Sequence, residues 1–209
     1  APGWAGRRRG RARRGTQEVL HELQRHPDFA DYRLALSALE QPGDTGELAA
    51  HALAGALPTQ APLRDEVRRR CQDPRHPQRP MLAQVLIPAL PAAERLACRE
   101  WLLDADDTFA ARVFEALYQA DDQAADALVP TYYPKVGTAV KLAMLRRLTH
   151  RADGLPRATL ELVAGTAATA KDTALQRTAL AVLQRAADRA EGWDTCERLA
   201  PVFGEAGLV

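Results

Sequence analysis

Three segments of this chain carry the same phased pattern, and that pattern constrains the fold more than any other feature. Phe114 and Leu117, Leu145 and Leu148, then Leu180 and Leu183 hold the same two apolar positions. An acid follows the second position by five residues each time, at Asp122, Asp153 and Asp188. A residue able to cap a helix precedes it by ten, at Asp107, Thr138 and Thr173. A weaker copy near the start has Leu36, Leu39 and Asp44. Steps of 31 and 35 residues separate the last three copies. A period of that size indicates stacked helical hairpins rather than one closed core.

The apolar residues agree with helices. Ala and Leu dominate, Ile87 is the only isoleucine, and aromatics make up 5% of the 209 residues. Ala and Leu lead the helix scale, whereas strands favour Val, Ile, Thr and aromatics. The expected fold class is therefore all-α, with about eleven helices. Arg greatly outnumbers Lys, which occurs only at Lys135, Lys141 and Lys171. An Ala-, Arg-, Gly- and Pro-rich composition is what GC-rich codon usage supplies, so Arg abundance alone does not argue for phosphate binding.

Charge divides the chain unevenly. Residues 1–15 hold Arg7, Arg8, Arg9, Arg11, Arg13 and Arg14 and no acid. The net charge is +1, so without those six arginines the remainder stands at −5. Like charges at such density disfavour packing, and residues 1–15 are expected to be a disordered arm. Cys71, Cys98 and Cys196 are scattered and form no C-x-x-C pair, which implies no disulfide framework. No apolar run reaches the roughly 18–20 residues of a membrane span, and no apolar region follows the basic start. These features lead to the expectation of a cytoplasmic protein without a membrane partner.

Helix signals divide the rest into residues 16–79 and 80–209, one continuous array. Expected helices cover about 16–25, 28–40, 44–57 and 60–71. Asp44 and Glu47 form a capping box, and Pro62 stands in a first turn. The stretch 72–80, with three prolines, is the clearest internal break. Helix pairs are then expected at 80–89 with 91–104, 107–120 with 122–134, 138–151 with 155–170, and 173–190 with 193–207. Pro130 and Pro134 around Tyr132-Tyr133 are expected to break the second helix of their pair.

This layout resembles the HEAT-like and armadillo-like α-solenoid families, chiefly through the three cassettes between residues 105 and 207. The resemblance implies a right-handed α-solenoid of antiparallel helix pairs, whose second helices line a concave binding face.

Candidate sites are few. Asp104, Asp106 and Asp107 form one acidic group; Asp121, Asp122 and Asp126 form another. A 14-residue helix would hold them roughly 20 Å apart, too far for one metal centre. Each group also stands where a helix N-terminus needs an acceptor, so capping is the simpler reading and a weak cation site the alternative. Cys71 and His76 have loose two-ligand spacing with no second pair, and read as a core Cys and a surface His. No phosphate-binding or nucleophile-elbow motif occurs, and the only serine is Ser37, on the apolar-rich face of its helix. No catalytic residue, cofactor or metal is expected.

Trp101, Asp104, Arg146, Arg147 and Trp193 are similar in type to the nucleotide-holding residues of HEAT-like DNA-alkylation-repair glycosylases, though differently spaced. Buried tryptophans filling the core are the competing reading. Because Tyr132 and Tyr133 are adjacent, one of them is a candidate exposed contact residue, and a tyrosine sealing the seam between repeats is the stronger competing reading. The leading functional reading is a non-enzymatic scaffold that binds another protein along its second-helix face, with Trp101, Tyr132, Tyr133, Arg99 and Arg157 as contact candidates. The alternative is a nucleic-acid binder, using Arg7, Arg8, Arg9, Arg11, Arg13 and Arg14 or the glycosylase-like set.

Overall fold

The computed structural model describes residues 18–22, 25, 32–41, 43–151, 154–188 and 197. The arm with its six arginines, Asp153, Trp193 and the expected helix 193–207 lie outside the described residues. Ten α-helices and one 3-10 helix are present, with a further helical stretch at 18–22, and no strand occurs among the described residues. The chain divides into two compact units, one ending at Cys98 and the other beginning at Arg99, rather than at the proline-rich 72–80 stretch.

The first unit contains α1 (Arg33–Ala38), α2 (Asp44–Ala54), α3 (Ala61–Gln72), α4 (Arg79–Ala89) and α5 (Ala92–Ala97). Helix α2 packs on α1 and on α4, and α3 packs on α4. Ala49, Leu53, Val67, Cys71, Leu82 and Leu86 are buried along these contacts. The loop between α3 and α4 is held by polar groups instead. Buried Arg79 donates from Nε to the Cys71 carbonyl at 2.5 Å, and Gln78 Nε2 donates to the Gln41 carbonyl at 3.0 Å. Gly46 is required here, because a Cβ would collide with Gln41 and the Gln78 amide.

His76 differs from its expected surface position. It is buried, its Nδ1 accepts the Gln78 backbone N–H at 3.2 Å, and its Nε2 lies 3.5 Å from Glu40. Ser37 departs in the other direction: it is exposed and donates to the Leu34 carbonyl at 2.9 Å. It shares the outward side of α1 with Arg33 and Leu34, while Ala35 and Ala38 are buried.

After the 3-10 helix Cys98–Leu103, the second unit contains α6 (Asp107–Ala120), α7 (Asp122–Tyr132), α8 (Thr138–Leu148), α9 (Arg157–Thr169) and α10 (Thr173–Ala187). Its core repeats. Phe109, Val113 and Leu117 on α6 are buried, as are Val140, Met144 and Leu148 on α8, and Leu175, Ala179 and Leu183 on α10. Each set has i, i+4, i+8 spacing, which places its members along one side of a helix. The sets are related by the same 31- and 35-residue steps. Helix α8 packs against both α6 and α10, while α7 packs on α6 and α9. Helix α9 packs most closely on α10, so its main helical neighbour is not the expected partner, α8, whose flanks α6 and α10 occupy.

Capping follows the repeat one residue earlier than expected. Asp106 caps α6 by accepting Thr108 and Phe109 N–H at 3.0 and 3.1 Å, and Asp172 caps α10 by accepting Leu175 N–H at 2.8 Å. The equivalent residue of α8 is Gly137, which has no side chain to offer. Asp107 supplies the missing acceptor from the neighbouring helix, taking Ala139 N–H at 2.7 Å. A Cβ on residue 137 would overlap that carboxylate. Thr138 and Thr173, expected as caps, are first-turn residues, and so is Asp44, which follows Gly43 at φ 74°.

Candidate functional site

The 3-10 helix ends the region expected as one helix over 91–104. Alpha geometry stops at Ala97, and tighter winding brings side chains three apart into line. Glu100 and Leu103 share one such line, whereas Leu102 is buried. Leu103 is 47% exposed, among the most exposed large apolar side chains in the described residues. Trp101 is half-buried, with its ring centroid 5.9 Å from that of buried Phe109 and tilted by 43°. It therefore belongs partly to the core and partly to the surface.

Tyr132 and Tyr133 are both buried, so the exposed-contact reading fails for each. Tyr132 is 8% and Tyr133 3% exposed. Pro130 lies inside α7 without ending it, and the helix continues to Tyr132. Adjacent helical positions differ by about 100°, so a helix covered on two sides buries both rings once each hydroxyl has a partner. Tyr132 donates to Glu100 Oε1 at 3.0 Å. Burial pushes its phenol up, and the Glu100 carboxylate adds to the effect. Tyr133 Oη lies 2.8 Å from Thr166 Oγ1 on α9, and Thr166 donates its own proton to the Leu162 carbonyl at 2.9 Å. Tyr133 is therefore the donor in the pair. Burial raises its phenol too, and Lys141 Nζ stands 5.7 Å from its ring centroid.

The contact candidates consequently separate. Arg99, Trp101 and Tyr132 converge on the 3-10 helix, with the exposed Arg99 guanidinium 3.4 Å from Glu100. Tyr133 serves the seam between α7 and α9. Arg157 is exposed on α9 and pairs with Glu161 at 2.8 Å. Residue-by-residue reading missed Glu100 and Leu103. The available signal was Leu102-Leu103: two adjacent apolar residues at the end of a helix point at least about 100° apart and do not share one face.

Of the glycosylase-like set, Trp193 lies outside the described residues, and the described members Asp104 and Arg147 are engaged separately. Asp104 Oδ1 accepts the Asp106 backbone N–H at 2.9 Å, closing the turn into α6. Arg147 lies over the Tyr118 ring at 5.1 Å, eleven residues and about 16 Å along α6 from its start. Arg146 is exposed.

The second acidic group is divided as well. Asp121 caps α7 through Ala124 N–H at 2.9 Å, while Asp126 pairs with Arg151 at 2.7 Å. Burial pushes the Asp126 carboxyl up, against the pull of Arg151. No three metal-ligating side chains converge among the described residues. Burial also raises both described thiols, Cys98 to about 11, outweighing the pull of Arg68 on each and of Arg79 on Cys71, so neither is activated as a thiolate nucleophile. An open groove of about 460 Å³ in the first unit is lined by Tyr32, Leu36, Leu63 and Glu66. Arg69 and Arg70 already bind that glutamate. Comparison with protein-family models, curated proteins and solved structures finds no match for this chain.

Proposed function

We propose that this chain is a helical-repeat scaffold that binds another protein and carries no catalytic activity of its own. On this reading the region from Arg99 onward is a right-handed, HEAT-like solenoid in a cytoplasmic protein. Its second-helix series runs through the 3-10 helix, α7 and α9. The observation that carries the reading is Leu103. A large apolar side chain stands exposed two residues from a half-buried Trp101, on a segment tied to α7 by the Tyr132–Glu100 hydrogen bond. Rigid apolar anchors with polar neighbours are what protein interfaces use as energetic centres. Along α7 and α9 the exposed residues Ala124, Ala127, Ala158 and Ala168 are small, so covering them immobilises little side-chain freedom.

A photo-crosslinking residue placed at position 103, and separately at Arg112 on α6, tests this in cells. A discrete protein adduct from position 103 that Trp101→Ala abolishes, with none from position 112, is the expected result. Equal labelling from both positions would remove the assignment.

A further inference from the structure

The outward side of the α8–α10 pair has a different chemistry. Helices α8 and α10 pack against each other and bury equivalent positions, so they turn equivalent positions outward. On α8 the outward side carries Arg146, with His150 just past the helix end; on α10 it carries Arg177, Ala181 and Arg185. Position 181 is the equivalent of 146, and 185 of 150, by the 35-residue step. Arg146, His150, Arg177 and Arg185 are all exposed. The side chains of the three arginines have no hydrogen-bond or ion-pair partner among the described residues.

This distinguishes them from the other described arginines of the unit. Arg99, Arg112, Arg151 and Arg157 each have a carboxylate within 4 Å, and Arg147 is stacked on Tyr118. Two described acids adjoin these positions by repeat step or along the helix. Glu115, the α6 equivalent of Arg146, is occupied by Arg112 at 2.8 Å. Asp188, at the end of α10, is exposed and forms the acidic edge.

We propose that this surface binds the phosphodiester backbone of a nucleic acid duplex, on a side of the unit separate from the protein-contact site. Guanidinium groups without internal partners retain their donors for phosphate oxygens, to which they bind bidentately. Arg177 and Arg185 are eight residues apart, about 12 Å along α10, so the charges are spread along the helix rather than focused on a single small anion. An acidic protein segment is the less suitable occupant. The surface between the arginines offers Ala181 and half-buried Leu142, with no exposed aromatic or large apolar anchor. Backbone contacts of this kind position a duplex without reading its sequence.

The full chain is titrated with a labelled duplex of mixed sequence at several salt concentrations, alongside Arg146→Gln/Arg177→Gln/Arg185→Gln. A second variant, Arg112→Gln/Arg157→Gln, removes two arginines that already have partners. The first variant should weaken binding and flatten the logarithmic salt slope by about 2.7, taking roughly 0.9 per lost phosphate contact. The second should leave both quantities unchanged, and circular dichroism should show both variants folded. Wild-type affinity and slope in the first variant would overturn the proposal, assigning duplex binding elsewhere on the chain. So would a first variant that loses binding of poly-glutamate but not of duplex, since the surface would then be selective for acidic protein.

Discussion

The two units build helix layers from different materials. From Arg99 onward, three helices repeat one apolar stripe, and Asp106, Asp107 and Asp172 supply the acceptors at their N-termini. Before Cys98, the turn from α3 into α4 depends on single polar contacts. Arg79 reaches the Cys71 carbonyl, Gln78 reaches Gln41, and His76 stands between Glu40 and Arg70. The contrast shows that one kind of helix packing can be specified by periodicity or by individual buried polar groups. The first is tolerant and repeated; the second depends on each partner.

Removing a repeated apolar side chain should have the largest effect. Phe109→Ala takes away a fully buried ring against which Trp101 rests, and should destabilise the chain by about 3–5 kcal/mol in denaturant unfolding. If Trp101 fluorescence stayed unchanged in the folded variant, the coupling between the stripe and the 3-10 helix would be disproved. On the polar side, Arg79→Ala leaves the Cys71 carbonyl without its guanidinium donor, and should cost about 1–3 kcal/mol. A cost equal to that of an exposed arginine such as Arg75 would show that the loop does not depend on this contact.

The smallest effect concerns pH. Burial holds the His76 imidazole below its ordinary range, more than Glu40 and Asp73 restore it, and Arg70 lowers it further. The unfolded chain therefore binds the proton more readily than the folded one. Stability contributed by this site is present above the unfolded pKa and declines as pH falls through it. Wild type should lose more stability than His76→Asn between about pH 7.5 and about 5.5. Identical losses would place the titration elsewhere.

The contrast also explains what the sequence made legible. The α6 bounds, 107–120, and the start of α8 at Thr138 and of α10 at Thr173 follow from apolar spacing, because a stripe repeated three times leaves little freedom of phase. The caps were displaced by one residue. Asp106 and Asp107 are chemically alike, and only the three-dimensional placement of Gly137 shows that one serves its own helix and the other its neighbour. Tyr132 and Tyr133 were misjudged for a similar reason, since their hydroxyl partners, Glu100 and Thr166, lie more than thirty residues away. The basic surface on α8 and α10 was hidden among abundant arginines. What separates Arg146, Arg177 and Arg185 from the other described arginines of the second unit is the absence of a partner among the described residues, which composition does not encode.

Helices α6 and α8 are locked together, the second capped by a carboxylate of the first. Asp107 at the start of α6 reaches Ala139 at the start of α8, and Arg147 near the end of α8 covers Tyr118 near the end of α6. The two helices therefore run parallel and in register. Residue-resolved amide hydrogen exchange on Asp107→Ala, compared with wild type, tests this directly. The account predicts faster exchange at Ala139 and the first turn of α8, while Thr108 and Phe109, held by Asp106, keep their wild-type rates. Faster exchange confined to Thr108 and Phe109, with Ala139 unchanged, would contradict it.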